Sequence, residues 1–336
     1  MAQWVAVFAA AAAVVAWAGV RLARAGDELA ERAGLSRLFV GMVLVAAATS
    51  LPEIVTDISA ALEGAPDLAV GDLFGSSMAN MAILAVIDLM RRQRVWARVE
   101  IGHARVASIA IALTALATLA ILTPPGVTLG WVGLDTIAIG AAYLAAVAWV
   151  RRSPDSRFGP VGMLPVATGW TEDEPEEATS VGQAARRFAG AALLILIAAP
   201  VLALAGREIA GDSQSGQTFV GAALLAAATS MPELVASIAA VRIGAHDLAV
   251  GNLFGSNAFN MFALVLVDLA DGRGALLSEV APGQAVGGVG AILLMALALA
   301  AIVHGAETRV RRLEPDAILL LVVYAGALLA VWSIHT

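Results

Sequence analysis

The sequence has no cysteine and no lysine, and all 20 of its basic residues are arginine. Without cysteine there is no disulfide framework and no thiolate metal site, and the redox character of the compartment leaves no trace. Histidine is scarce: His103, His246, His304 and His335 are scattered and show no HExxH-like spacing. Charge is scarce as well, at 14% of 336 residues against 60% hydrophobic, which is far too apolar for an ordinary water-soluble domain. The formal net charge of -7 arises largely in polar connecting segments and offers no basic surface to nucleic acid. What remains is a polytopic membrane protein.

The first apolar run, AQWVAVFAAAAAVVAWAGV, has no basic residue before it and is too long for a signal-peptide core, so it reads as a first membrane helix. A hydrocarbon core about 30 Å thick needs about 20 apolar residues per helix. Cutting the chain on that rule predicts ten spans, starting near residues 2, 38, 67, 101, 126, 183, 216, 247, 283 and 315. Pro52 and Pro232 are expected to interrupt the second and seventh. The long polar stretch 151–182, with RRSPDSRFGP and the acidic EDEPEE, reads as a cytoplasmic linker between five spans in 1–150 and five in 183–336. The acidic run is best read as a disordered linker rather than a calcium sensor.

Basic residues accumulate in cytoplasmic loops. With the N-terminus outside, 18 arginines fall in inner loops and only Arg207 and Arg273 outside, so both termini are expected on the extracytoplasmic face of a multi-pass cell-membrane protein.

Residues 39–89 align with 219–269 at a constant offset of 180 without gaps, and 30 of the 51 pairs are identical. Low-complexity alanine cannot account for this, because Gly64, Asp67, Gly71, Phe74, Gly75, Ser76, Asn80 and Asp88 all recur. Five spans per unit is an odd number, so the second unit should enter the bilayer from the opposite side. The expected fold is therefore an all-α membrane protein of ten transmembrane helices in two inverted five-helix repeats. Transporters built this way bind substrate near the midplane, where the repeats meet.

The matched segments AAATSLPEIVTD (46–57) and AAATSMPELVAS (226–237) carry polar groups that oil does not welcome. Residues three and four apart share a helix face. Thr49, Ser50 and Glu53 thus present two hydroxyls and a carboxylate to one side, as do Thr229, Ser230 and Glu233. Each proline lacks an N–H, which loosens carbonyls near Ala46 to Ala48 and Ala226 to Ala228 as prospective ligands. In GDLFGSSMAN and GNLFGSNAFN, Ser76 stands over Asn80 and Ser256 over Asn260, while the pairs Gly71/Gly75 and Gly251/Gly255 form GxxxG, a motif of close helix approach. All these donors are hard oxygens, suited to calcium, magnesium or sodium and not to zinc or copper.

A lone serine or threonine in a membrane helix usually bonds its own backbone. A mid-membrane carboxylate costs at least about 2.5 kcal/mol and marks function by default, and Glu53 and Glu233 are such carboxylates in duplicate. Asp57 (matched by Ser237) and Asp72 (matched by Asn252) could line an access path but read more simply as interfacial, solvated carboxylates, and the pair Asp88/Asp268 falls at span ends, where solvation is the simpler account.

At ATSLPE with GDLFGSSMAN, and ATSMPE with GNLFGSN and AFN, the sequence resembles the sodium-calcium exchanger family of the cation/calcium antiporter superfamily, and the ten-span plan covers the whole chain. The resemblance implies a central calcium site with flanking sodium sites. It assigns calcium to Glu53, Glu233 and the carbonyls of Thr49 and Thr229, and sodium to Ala46, Ser50, Ser76, Ala226, Ser230 and Ser256. Asn80 and Asn260 take the family's remaining central positions, where some relatives carry an acid. Asp72 stands where the family usually has asparagine, and Ser77 and Ala79 replace the commoner asparagine and phenylalanine. A linker of about 30 residues is too short to fold as a regulatory domain.

The leading expectation is a secondary antiporter that extrudes calcium against entering sodium, with calcium and sodium as transported ions, no cofactor, the bilayer as its environment, and a monomer as the simplest assembly. Proton coupling through the same carboxylates is the runner-up. A cation channel could use similar ligands but would conduct without exchange, and an intramembrane metallohydrolase would want histidine beside the acids.

Overall fold

The structure is a computed structural model and describes residues 2–90, 101–152, 180–212, 228–304 and 315–335. Among these residues nine helices are long and apolar enough to cross a membrane. In chain order the first half holds α1 (Ala2–Ala33), a helical turn α2 (Arg37–Phe39), a π-helical segment Val40–Val45 that runs into α3 (Ala46–Leu62), α4 (Pro66–Leu89), α5 (Ile101–Leu122) and α6 (Leu134–Arg152). The second half holds α7 (Val181–Asp212), α8 (Met231–Arg242), α9 (His246–Asp271), the short α10 (Leu276–Glu279), α11 (Ala285–His304) and α12 (Pro315–His335). Most of the expected seventh span, from residue 216 to 227, lies outside the described residues, as do most of the linker and Ala226.

The fifth span departs from expectation, because it begins at Leu134 and not near 126. Pro124 and Pro125 cannot extend a helix ladder, and Gly126 and Gly130 take φ values of +61° and +69°. The chain spends these residues on a two-stranded antiparallel hairpin, Thr128–Leu129 with Val132–Gly133, before α6 starts.

Sequence duplication is matched by local structure. Gly64 and Gly244 end their helices with φ of +83° and +85°. Behind each, the next amide reaches back to close the turn: Ala65 N–H to Ala60 O at 2.9 Å, and Ala245 N–H to Ala240 O at 2.8 Å. This left-handed cap satisfies carbonyls that would otherwise be orphaned, and only glycine adopts it without strain. The two longest helices, α1 and α7, pack against each other, and the pattern of burial along residues 11–20 recurs position by position at 191–200.

Burial separates an inner from an outer set. The spans Arg37–Leu62 and His246–Asp271 are buried over 67% of their most apolar stretch, whereas Pro315–Ile334 is buried over 11% and presents Val322, Leu329 and Trp332 outward. An outward apolar face without cover is what a lipid-facing helix requires. The inner helices are those that carry the duplicated polar motifs, and α9 packs on α3, α4, α5, α6, α8 and the π-helical segment.

Helix α9 meets that segment backbone to backbone. A Cβ added at Gly255 would stand 2.5 Å from Met42 Cα and one at Gly251 would stand 2.8 Å from Leu38 O, so both glycines are required by the crossing. The first-repeat pair differs: Gly71 abuts only the Gln284 side chain, and Gly75 faces open space.

Pro52 does not interrupt its span, since α3 runs unbroken from Ala46 to Leu62. The irregularity lies one turn earlier, in the π-helical segment, where Ala46 N–H returns to Gly41 O. In the second repeat the break is real: Ser230 (φ -85°, ψ 5°) caps a new helix in whose first turn Pro232 sits. Proline costs little there, because the amide it lacks would have no intrahelical partner.

Candidate functional site

Four helices bring the matched polar residues together. From α3 come Thr49, Ser50 and Glu53, from α4 Ser76 and Asn80, from α8 Glu233, and from α9 Ser256 and Asn260; all are buried. Ser230, just ahead of α8, is buried too, while Thr229 is half-buried. Glu53 and Glu233 are 3% and 0% exposed, so neither carboxylate is the solvated kind found at a span end.

Hydroxyls from α3 and α4 serve the two carboxylates differently. Ser76 donates its single hydroxyl to Glu53, whose two oxygens lie 2.9 and 3.1 Å from it. Ser50, one turn from Glu53 on the same helix, instead donates to Glu233 Oε1 at 3.3 Å, and the Thr49 side chain approaches the same carboxylate. The face shared by Thr49, Ser50 and Glu53 therefore meets the opposite repeat. Thr49 Oγ1 also lies 3.1 Å from Val45 O and 3.2 Å from Ala46 O. The Ala46 carbonyl is thus contacted by a hydroxyl in addition to its place at the start of the α3 ladder.

Both central asparagines spend their amide nitrogens elsewhere. Asn80 Nδ2 donates to Asn257 Oδ1 at 2.9 Å, and Asn260 Nδ2 points to Leu73 O at 3.4 Å. Their carbonyl oxygens are left without donors, as are Glu233 Oε2 and Ser256 Oγ. Leaving a buried acceptor unmatched costs about 1–3 kcal/mol, and four such oxygens in one polar cluster form a set that a desolvated hard cation would satisfy. Among the described residues no group of three or more His, Cys, Asp or Glu could hold a metal. Any cation here would meet two carboxylates and otherwise neutral oxygens, a donor set of the kind calcium and sodium accept.

Asn257 is a residue that sequence reasoning missed. It accepts from Asn80 and donates its own Nδ2 to Ser77 O at 3.2 Å, and so holds the Asn80 amide with its oxygen free. Its partner at the offset of 180 is Ser77, so the duplication did not single it out; its one signal was a second amide in GSNAFN.

Three of the four acids read as solvated need correction, while Asp72 is half-buried. Asp57 is 1% exposed, and Asp88 and Asp268 are buried as well. Asp268 accepts from Gly133 N–H at 2.8 Å, Leu276 N–H at 3.1 Å and the Thr136 hydroxyl, thereby fastening the hairpin and the approach to α10 onto α9. A carboxylate given that many donors needs no water. A cavity of about 470 Å³ lined by Phe39, Leu144, Val147, Ala148, Arg151 and Arg152 contains none of the site's oxygens and is a separate surface hollow.

With this geometry in place, comparison with known proteins finds a match to the sodium/calcium exchanger protein family over residues 3–149 and 185–332. The chain belongs to this family. The exchanger is 27% identical over 302 residues to CaxA of Alkalimonas amylolytica, with 89% of each chain covered. It is 28% identical over 264 residues to the inner membrane protein YrbG of Escherichia coli, with 74% of each covered. Its fold matches that of the sodium-calcium exchanger NCX_Mj with a TM-score of 0.72, covering 97% of this chain and 98% of the other at 18% identity. The protein is accordingly a membrane cation/calcium antiporter, not an enzyme.

Proposed function

We propose that this exchanger moves calcium against sodium by alternating access, with Glu53 and Glu233 as the charge pair both ions compete for. The observation that carries this reading is the set of buried oxygens without donors at matched positions, Asn80 Oδ1, Asn260 Oδ1, Ser256 Oγ and Glu233 Oε2. Calcium takes the two carboxylates with the Thr49 and Thr229 carbonyls. Sodium takes the surrounding hydroxyls of Ser50, Ser76, Ser230 and Ser256 and the Ala46 and Ala226 carbonyls. With both central amides neutral, the ionised pair carries a charge of about -2, which one calcium ion neutralises and three sodium ions overfill by one. Preorganised carbonyl and hydroxyl dipoles offset that excess, which favours an electrogenic three-to-one exchange. The chain resides in the cell membrane, acts as a monomer and has both termini outside.

The test is radioactive calcium uptake into sodium-loaded proteoliposomes at clamped membrane potential. Uptake that requires an outward sodium gradient and varies with voltage supports the reading. Uptake driven by a pH gradient and indifferent to sodium replaces it with proton coupling, and sodium-driven uptake indifferent to voltage leaves a two-to-one exchange.

A further inference from the structure

Helices α3 and α4 are joined by the turn at residues 63–65, so they run in opposite directions side by side. Asp57 lies one turn beyond Glu53 toward that turn, and Asp72 lies one turn before Ser76, on the same side. The helical register therefore stacks a second pair of polar side chains on the Glu53–Ser76 contact. The Asp57 and Asp72 carboxyls are within hydrogen-bonding reach of each other. Asp57 is 1% exposed and its Oδ2 has no hydrogen-bond donor, Asp72 is half-buried, and Arg273, which reaches this end of α3, is engaged by Asp271 and the Ala61 carbonyl.

The other repeat shows what this position requires for packing alone. There the matched residues are Ser237 and Asn252, and Asn252 Nδ2 donates to Ser237 Oγ at 3.0 Å. A neutral donor and acceptor satisfy each other at the same place in the fold. Two ionised carboxylates cannot, because ionised acids only accept and like charges side by side repel; such a pair needs a shared proton or a cation between its members. The acidic pair is thus found in one repeat only, and with both groups ionised its charge matches that of a divalent cation.

We propose that Asp57 and Asp72 form a second binding site for a hard divalent cation, one helical turn from the central carboxylates on the side of the 63–65 turn. The ion bridges the two carboxylates, takes up the unmatched Asp57 oxygen, and stands in line with Glu53 as a way station between that end of the protein and the centre. The inference rests on the central site being the divalent site described above, and the test separates the two.

Binding of radioactive calcium to purified protein in detergent is measured by equilibrium dialysis for four forms. These are the parent, Glu53→Gln with Glu233→Gln, Asp57→Ser with Asp72→Asn, and all four substitutions together. The second double variant rebuilds the neutral pair that the other repeat already accommodates, and elution as a single monodisperse species checks folding. The expected result is two calcium ions per chain for the parent, one for each double variant and none for the quadruple. Binding by Asp57→Ser/Asp72→Asn equal to the parent's overturns the second site while leaving the centre intact. Full binding retained by Glu53→Gln/Glu233→Gln, and lost with the aspartates, supports the second site and refutes the central assignment instead.

Discussion

Ser50 donates a hydrogen bond to Glu233 Oε1 across 183 residues of sequence, at 3.3 Å. The hydroxyl that stands one helical turn from one glutamate is thus spent on the other, and α3 is tied to α8 at the carboxylates themselves. An ion that draws Glu233 away must release Ser50, which links occupancy of the site to the contact between these two helices.

Neutralising either carboxylate is expected to end exchange. Glu53→Gln and Glu233→Gln keep size and most hydrogen-bonding capacity but remove one of two charges. Each should lower sodium-driven calcium uptake by about 100-fold, the scale of breaking a buried charge pair. Normal uptake in both variants would place the calcium site elsewhere.

The backbone crossing at Gly255 sets a stability contrast. Gly255→Ala would press a methyl against Met42 at 2.5 Å, whereas Gly75→Ala enters open space. Overpacking costs about 1–3 kcal/mol, so the first variant should melt at a clearly lower temperature in detergent and the second should melt like the parent. Thermal unfolding followed by fluorescence decides this, and equal melting temperatures would deny the close approach.

Asn260→Asp adds a titratable acid beside Glu53 and Glu233. The new carboxylate should assist calcium while ionised and lose that effect as the pH falls and it protonates. An added acid is one more group that takes up protons in competition with calcium, so the half-inhibition pH of calcium uptake should move up relative to the parent. A pH profile that superimposes on the parent's would show that Asn260 does not face the ion.

Orientation is checked by labelling, which the absence of cysteine makes clean. Ala2→Cys and Thr336→Cys should react with an impermeant maleimide on intact cells, and Thr171→Cys should react only after lysis. The reverse pattern would invert the topology without changing the chemistry of the centre.

How much of the centre was legible follows from how each residue is duplicated. Glu53 and Glu233, and Asn80 and Asn260, recur at a fixed offset in an apolar setting, so their singular cost in oil exposed them without a structure. Asn257 and the Asp57–Asp72 pair do not recur in kind, and Asp57 passed for a solvated acid until its burial was seen. The glycine motifs were equally legible in both repeats, yet only Gly251 and Gly255 meet a neighbouring backbone.

That the chain is a series of membrane-length helices, and that Glu53 and Glu233 recur in one apolar setting, were decided by the sequence itself, because hydrophobic run length and internal repetition are properties of the chain read in order. So was the helix-ending role of Gly64, whose left-handed cap is a local matter. The tertiary structure alone decided that Pro52 rides inside a continuous helix while Pro232 opens one, that Ser50 serves Glu233, and that Asn257 turns the Asn80 oxygen free. Those outcomes depend on which backbone another helix presses against and which donor arrives from far along the chain. No window of neighbouring residues contains that information.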